Sequence, residues 1–544
     1  MTSSLLEKIA IVEQAVIIRK DILDLEKHEL DDLVRAWKGI QELPLTIPIP
    51  SSTSPATMAS PSAALAIRAR TSGKALQRVS GCEKVTLPFW NQMKTDGETV
   101  IPAVFLQKQY TTQDGETFKN PLYSYQFQQG FVDQLVGSSS TIRPIDYGKH
   151  KGYETVRFPY SGLVGKSNIA QTKQHNAEVD ALGEVEVNRR LQNHVKGWLI
   201  NETQPENSMR LKYLRCLDAP NYTVFSNTTS ATKWNDDNFY SLHESDQRPT
   251  PNPGDLVVSL ESPHNGMHLA VGGYNLPPTQ KASDPQSGDD QAKDTGPSDD
   301  LANGDMGEND TAGFDPIFYF HHAFIDLVFW SWQKIHKATD KLEIQEAYPG
   351  TSTVDLQGPT PGMAAGAWLT ADTPLDPFKF EETGKPLTSK DVTNTENLGY
   401  KYLDKDLLSP PQRGGFWGVP DDPMPTLRVP GINRANIAGS FVIAVWATGP
   451  GTEDKVLVGF EPVFSRWHVA GCPNCQNSLS VTAYIPLNEA LRGRAKELKY
   501  DVELIVSDVE KGKQSQRKGR WSELPLDGGP PGLGLKIDLG EYYA

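Results

Sequence analysis

The sequence predicts a mainly α-helical core followed by a β-rich C-terminal domain. The helical part is indicated by a strongly apolar stretch, Pro316–Lys337, which is long enough for a buried helix and carries Phe, Leu and Trp on one side. The β-rich part is indicated by short alternating apolar runs, typical of strands with one buried face. These runs are Phe441–Trp446, Val456–Phe460, Leu479–Ile485 and Val502–Val506.

The chain length of 544 residues predicts two or three domains. We expect a core over residues 1–375, a linker over residues 376–425 that is rich in Pro, Gly, Asp and Thr, and a β-rich domain over residues 426–544. Inside the core, residues 47–73 are aberrant, because they are rich in Ser, Ala, Thr and Pro and show no periodicity.

Composition and charge exclude several classes of partner. Hydrophobic residues make up 38% of the chain and charged residues 22%, which is typical of a globular protein, and no apolar run is long enough to cross a bilayer. A net charge of -15 argues against nucleic acid and against an anionic membrane as partner. Because Glu13 interrupts the apolar residues of the N-terminus, no signal peptide is evident, and we expect a cytoplasmic protein.

The first chemical signal is a pair of histidines, His264 and His268, in the segment Glu261–His268. Residues four apart lie on one face of a helix, so both imidazoles can reach one metal ion. Two surface histidines have the same spacing, and this motif alone does not separate the two interpretations.

The second signal is the segment Phe314–Asp326, where the adjacent histidines His321 and His322 lie inside an apolar helix. A buried imidazole among Phe and Leu needs a polar partner, which is either a metal ion or a hydrogen-bonding group such as a carboxylate. Adjacent helical residues point about 100° apart, so only one of the two is expected to face the same ion as the first pair. Three histidines from two helices make a metal site with an open position.

Together these motifs resemble the second copper-binding half, called CuB, of tyrosinases, which are type-3 copper (hemocyanin-like) proteins. The resemblance implies a four-helix metal-binding bundle with His264, His268 and His322 as the metal ligands and His321 as their neighbour. It also implies that Glu261 and Asn265 hold a water that helps to deprotonate a phenol. Leu87–Trp90 resembles a core segment of the family, whereas Leu327 stands where many members have Arg.

The C-terminal domain resembles the family's lid, which covers the site in the proenzyme. Cys472 and Cys475 lie where related lids carry a Cys-x-x-Cys pair associated with copper loading. Two thiolates are too few for a closed zinc site, and two ordinary thiols remain the alternative. We expect Cys82 and Cys216 to be buried structural thiols.

The first copper-binding half, called CuA, is missing from the sequence. The resemblance places its histidines near residues 45–85, yet the chain has no histidine between His28 and His150. If the codons of Ile47–Ala69 are chosen freely at third positions and read in a shifted frame, they encode a peptide containing Ala-Gly-Tyr-His-Gly, which resembles the family's first CuA segment. We therefore hypothesise a frameshift or a mis-spliced gene model across residues 47–73.

Three functions remain open. The first is a tyrosinase that oxidises phenols and catechols to o-quinones in pigment or secondary-metabolite biosynthesis, with O2 and with two copper ions if the CuA half is restored. The second is a non-oxidative zinc lyase of the cyclopenase type, which resembles the same family and converts cyclopenin-like benzodiazepinediones to quinolone alkaloids with one zinc ion. The third is an inactive product that lacks the CuA half. The substrate, phenolic or alkaloid, and the oligomeric state are not fixed by the sequence.

Overall fold

The fold is described from a computed structural model, which covers most of the helical part and the strands of the C-terminal part. The described residues are 16–43, 75–94, 99–132, 148–240, 256–276, 297–346, 348–349, 351, 367–379, 383–410, 424–434, 437, 439–449, 452–467, 480–487, 491, 493–495, 497–508, 513–518 and 538–542. The aberrant segment 47–73 and the pair Cys472 and Cys475 lie outside them.

The first part of the chain is mainly helical. Its α-helices are α1 (Lys27–Glu42), α2 (Ile169–Ala181), α3 (Glu184–Leu199), α4 (Met209–Cys216), α5 (Tyr222–Ser226), α6 (Thr228–Asn235), α7 (Glu261–Gly272) and α8 (Ile317–His336). Helix α1 begins with a capping box between Glu26 and Glu29. Helix α7 is followed by the cap residue Gly273, whose positive φ of 93° favours glycine.

Short two-stranded ribbons accompany the helices. They pair β2 (Gln109–Thr111) with β3 (Thr117–Lys119), β4 (Phe131–Val132) with β5 (Gly148–Lys149), and β6 (Pro374–Lys379) with β7 (Pro386–Thr388). The N-terminal strand β1 (Ile17–Ile18) pairs in parallel with β8 (Tyr400–Lys401). Strands β6, β7 and β8 fall in or at the edge of the predicted linker, so the described part of this segment is structured; the predicted domain boundaries stay predictions.

The C-terminal part consists of two antiparallel sheets. The first has the order β11-β10-β13-β14 and the second the order β12-β9-β15. Their strands are β9 (Met424–Asn433), β10 (Phe441–Gly449), β11 (Thr452–Val463), β12 (Ser480–Pro486), β13 (Lys499–Asp508), β14 (Lys513–Lys518) and β15 (Asp538–Tyr542). Strand β10 is buried on both faces over its first seven residues, because one face meets the second sheet and the other meets the helices.

The predicted fold class is confirmed in its coarse form: a helical core is followed by a β-rich C-terminal region. The four-helix metal-binding bundle stays a prediction. Helix α8 packs at the centre of the helical core, and sixteen of its twenty residues are buried. Among the described residues, no helix combines the length and the apolarity needed to cross a bilayer.

Candidate metal centre

Helices α7 and α8 bring three predicted ligands together. His264 and His268 lie one turn apart on α7, and His322 faces them from α8. The Nε2 atom of His264 is 3.2 Å from that of His268 and 3.3 Å from that of His322, and His268 and His322 are 3.2 Å apart at the same atoms. Two nitrogens bound to one ion at about 2.0–2.1 Å in tetrahedral geometry are separated by about 3.3 Å. The three imidazoles therefore fit a single metal ion.

The far ring nitrogens fix the tautomer that a ligand needs. Nδ1 of His268 donates to the backbone carbonyl of Met306 at 3.0 Å, and Nδ1 of His264 donates to Oδ1 of Asn265 at 3.0 Å. Each bond places the proton on Nδ1 and leaves the Nε2 lone pair directed at the other two rings. The two converging lone pairs of His264 and His268 repel one another, and a cation between them would remove that repulsion.

Burial keeps these rings neutral, which is the form that binds a metal. It lowers the pKa of His264 to about 4 and places the pKa of His268 well below its ordinary value. The His268 side chain has no exposed surface, and those of His264 and His322 are buried as well. His264 and His268 are therefore uncharged donors at neutral pH, as histidine metal sites require.

His321 lies closer to these three histidines than helical geometry alone predicts. One ring nitrogen from each of the four histidines lies within 4.8 Å of the others. Nδ1 of His321 is 2.7 Å from Nε2 of Gln92, and the Gln92 carbonyl oxygen accepts from the Tyr213 hydroxyl at 2.8 Å. In this arrangement the Gln92 amide donates to Nδ1, so the proton of His321 lies on Nε2. With Nδ1 bonded to Gln92 and the proton on Nε2, His321 has no free lone pair for a metal ion, which agrees with its prediction as a neighbour of the ligands.

The two predicted catalytic residues lie on α7, the helix that carries His264 and His268. Asn265 holds His264 through Oδ1, and Oε2 of Glu261 accepts from the backbone N–H of Thr228 at 2.8 Å. The Glu261 contact joins the first residue of α7 to the first residue of α6. A water-holding role for the pair stays a prediction.

The C-terminal region contacts one of the candidate ligands. The ring of Phe464, directly after β11, stacks on His268 with 4.2 Å between centroids and 19° between planes. Its centroid lies 6.4 Å from that of His264. Nearby, Glu461 accepts from Ser262 on α7 and pairs with Lys212 on α4, both at 2.5 Å. The predicted lid position therefore corresponds to a contact of this region with one of the ligands.

The predicted thiols are only partly described. Cys82 and Cys216 are free and buried, as expected, and their structural role stays a prediction. The metal-loading prediction for Cys472 and Cys475 remains a prediction, since both lie outside the described residues.

Several residues at the site were missed by the sequence analysis. Gln92 follows two positions after the Leu87–Trp90 segment, so that motif could have pointed to it. Phe464 lies four residues after the alternating run Val456–Phe460, and nothing in that run marks Phe464 as the residue above His268. Met306 contributes a backbone carbonyl, which no side-chain pattern reveals.

A buried set of three imidazoles on two helices, in contact with a β-rich region, is typical of a histidine-bound metal site. Residues 72–335 match the family model described as the common central domain of tyrosinase. A tyrosinase of Aspergillus oryzae is 40% identical over 90% of this chain and 92% of its own length. Tyrosinase HcTyr2 of a Hahella species is 36% identical over 93% and 96% of the two chains.

Solved structures agree. The tyrosinase of Burkholderia thailandensis at low pH superposes with a TM-score of 0.71 and 33% identity, covering 96% of this chain and all of that one. The chain belongs to the tyrosinase family. Membership supports a tyrosinase-type copper oxidoreductase that acts on phenolic substrates with O2.

Proposed function

We propose that this protein oxidises monophenols and catechols to o-quinones that enter pigment or secondary-metabolite biosynthesis. The observation that carries the proposal is the set of three Nε2 atoms, 3.2–3.3 Å apart, on His264, His268 and His322. Family membership selects copper as the ion for this set. Copper bound there would supply the O2 chemistry that the family uses.

The chain's own residues would do three things. His264, His268 and His322 hold the ion, and the carbonyl of Met306 and the amide of Asn265 hold two of those rings in the ligand tautomer. Glu261 and Asn265, one turn apart at the start of α7, hold a water that takes the proton of a phenol hydroxyl. Phe464 keeps solvent from His268 while the C-terminal region is docked.

The proposal includes a second ion held by the CuA half. Among the described residues, the four clustered histidines are the one group that could hold a metal ion, and they account for one site only. We propose that the native transcript encodes further histidines in place of residues 47–73. The experiment is to sequence the transcript across the codons for Thr46 to Lys74. The Ala-Gly-Tyr-His-Gly peptide supports the two-ion enzyme, and the Ser/Thr/Ala-rich segment refutes it.

The alternative function is a zinc lyase with a single ion. It is favoured by the presence of only one set of metal ligands among the described residues. A zinc ion on three histidines acts as a Lewis acid and needs no second site. The full-length chain should be purified, its copper and zinc measured, and O2 uptake followed with a catechol. Copper together with O2 uptake supports the oxidase, whereas zinc without O2 uptake supports the lyase and contradicts the oxidase.

A further inference from the structure

The segment Gly304–Asp310, here the 304–310 loop, touches both a candidate metal ligand and the C-terminal region. In its middle, the Met306 carbonyl accepts from Nδ1 of His268 at 3.0 Å. At its end, the carboxylate of Asp310 accepts from Nε of Arg466 at 2.6 Å and from the backbone N–H of Trp467 at 3.3 Å. The side chains of Arg466 and Asp310 are 6% and 0% exposed, so this ion pair is not screened by water.

The loop lies directly on the helix that carries His268. The N–H of Gly304 donates to the carbonyl of Gly272 at 2.7 Å. A Cβ atom added to Gly272 would lie 2.2 Å from the backbone nitrogen of Gly307, so the two backbones are in contact with no space between them. A shift of the loop therefore moves the end of α7 or changes the Met306–His268 hydrogen bond.

The helical core holds the loop at Asp305. Oδ2 of Asp305 accepts from the Tyr153 hydroxyl at 2.6 Å and from the backbone N–H of Val156 at 2.8 Å, and Lys149 pairs with Oδ1 at 3.0 Å. This anchor is one residue before Met306. It fixes one side of the carbonyl that faces His268.

The C-terminal region holds the loop from both flanks. On the N-terminal flank, Nδ2 of Asn303 donates to the Ser507 hydroxyl at 2.7 Å, and Nε2 of Gln514 donates to the Ala302 carbonyl at 3.2 Å. On the C-terminal flank is the Asp310–Arg466 pair. The position of Met306 thus depends on whether the C-terminal region is docked.

We propose that Asp310 and Arg466 are positioning residues for the metal centre, acting through the Met306 carbonyl on His268. Docking of the C-terminal region then raises the affinity of the three histidines for their ion. By thermodynamic reciprocity, a bound ion strengthens docking by the same factor. The inference rests on the proposed assignment of His264, His268 and His322 as ligands.

The expected loss of metal affinity depends on how far the Asp310–Arg466 pair controls the position of the Met306 carbonyl. Losing a hydrogen-bond partner of a metal-bound histidine costs about 10–100-fold in metal affinity. Breaking the Asp310–Arg466 pair displaces the Met306 carbonyl without removing it, because Asp305 still anchors the loop. We expect a loss at the lower end, about tenfold.

The test compares two arginines that both join the C-terminal region to the helical core. Arg466→Gln breaks the pair with Asp310 on the loop. Arg428→Gln breaks the pair with Asp236 at the end of α6, where Nε of Arg428 donates at 2.7 Å, away from Met306. Zinc affinity of the metal-free full-length chain is measured by competition with a chromophoric chelator. Arg466→Gln should bind zinc about tenfold more weakly, and Arg428→Gln should bind as the wild type.

A spectroscopic signature separates positioning from a general loss of stability. Cobalt(II) in the site reports the geometry of its ligands through its visible absorption bands. These bands should shift in Arg466→Gln and in Asp310→Asn, should stay in place in Arg428→Gln, and should return toward the wild type in Arg466→Lys. Unshifted bands in Arg466→Gln overturn the proposal.

The first arm of the reciprocal test uses the wild-type chain alone and so does not depend on a variant that folds: zinc should slow limited proteolysis within residues 426–544. In a second arm, zinc should slow this proteolysis less in Arg466→Gln. Equal losses of affinity in Arg466→Gln and Arg428→Gln, or no effect of zinc on proteolysis, overturn the proposal. A wild-type chain that binds no zinc, cobalt or copper instead overturns the ligand assignment and removes the proposal with it.

Discussion

At the scale of the residue, His268 is the most constrained group of the metal centre. Its Nδ1 is held by the Met306 carbonyl, its Nε2 lies 3.2 Å from the Nε2 atoms of both other rings, and its ring is fully buried under Phe464. His264 and His322 alone would leave two ligands for an ion that needs at least three from the protein. The site therefore depends on this side chain.

His268→Ala should abolish metal binding at the proposed site. The measurement is metal content per chain after loading with copper or zinc and removal of excess metal. His336→Ala is the control, because His336 lies on the same helix as His322 but has Nε2 2.8 Å from the Leu217 carbonyl, away from the centre. The ligand assignment is wrong if the His268 variant retains stoichiometric metal at this site.

Glu308 makes the stability of the fold depend on pH. The side chain has no exposed surface, and burial raises its pKa from 4.5 to about 8, although the charge of Lys149 opposes the shift. The folded chain therefore keeps this proton up to about pH 8, whereas the unfolded chain releases it near pH 4.5. Because the folded state binds the extra proton, this group lowers the free energy of unfolding as pH rises from 4.5 to about 8.

Glu308→Gln should remove that dependence. Between the two pKa values, the wild type should lose up to about 1.4 kcal/mol per pH unit from this group, and the neutral amide should lose none of it. Urea denaturation of both proteins at pH values from about 5 to about 9 measures the difference. It should grow with pH and level off above about pH 8. Parallel pH profiles would show that Glu308 is ionised in the folded chain.

At the scale of the element, the contact between α7 and the 304–310 loop leaves no room for a side chain. Gly272→Ala places a Cβ 2.2 Å from the Gly307 nitrogen, and the obstructing atoms are backbone. Overpacking of this kind costs about 1–3 kcal/mol. Because the clash pushes the loop away from α7, the variant should also bind metal more weakly.

Gly313→Ala is the matched control for that prediction. An added Cβ at Gly313 meets no heavy atom within 4 Å, so its effect on stability should lie within about 0.5 kcal/mol. Chemical denaturation and zinc titration of both variants provide the comparison. Equal stability and equal zinc affinity in the two variants would mean that the backbones have space that the structure does not show.

The helices that carry the ligands were predictable because the sequence patterns that indicate them lie within short segments of the chain. The spacing of His264 and His268 sets them on one helical face, and the apolar residues around His322 mark a buried helix. The strands of the C-terminal region were predictable from alternating apolar residues for the same reason. Each of these inferences needs only a few neighbouring residues.

Contacts between distant parts of the chain were not predictable in this way. Asp326 lies four residues after His322. The next residue, Leu327, stands where many members of the family have Arg. Asp326 nevertheless has a buried cation beside it, which comes from a distant part of the chain. Arg19, directly after strand β1, lies 3.2 Å from the Asp326 carboxylate, and the hydroxyl groups of Tyr400 and Tyr402 donate to that carboxylate. The pairing of β1 with β8 brings Arg19 there, and no local pattern reports a pairing across more than 300 residues.

At the scale of the whole molecule, the C-terminal region is fastened to the helical part around the metal centre. Glu461 joins Lys212 and Ser262, Arg466 joins Asp310, and the ring of Phe464 lies between these polar contacts and covers His268. Hydrogen bonds and ion pairs are directional, so these polar contacts fix the position of the Phe464 ring between them. We expect access to a bound ion to depend on whether this region stays docked.

Phe464→Ala should expose the metal centre while the polar contacts remain. Removing the ring opens the face of His268, so a chelator such as dipicolinate should remove zinc faster than from the wild type. Phe460→Ala is the matched control: it removes another buried ring, whose centroid lies 5.3 Å from that of Trp198. Both variants should lose about 3–5 kcal/mol of stability, since each deletes a buried phenylalanine. Only Phe464→Ala should release zinc faster, because only that ring covers a ligand; equal release rates would show that the centre is reached by another path.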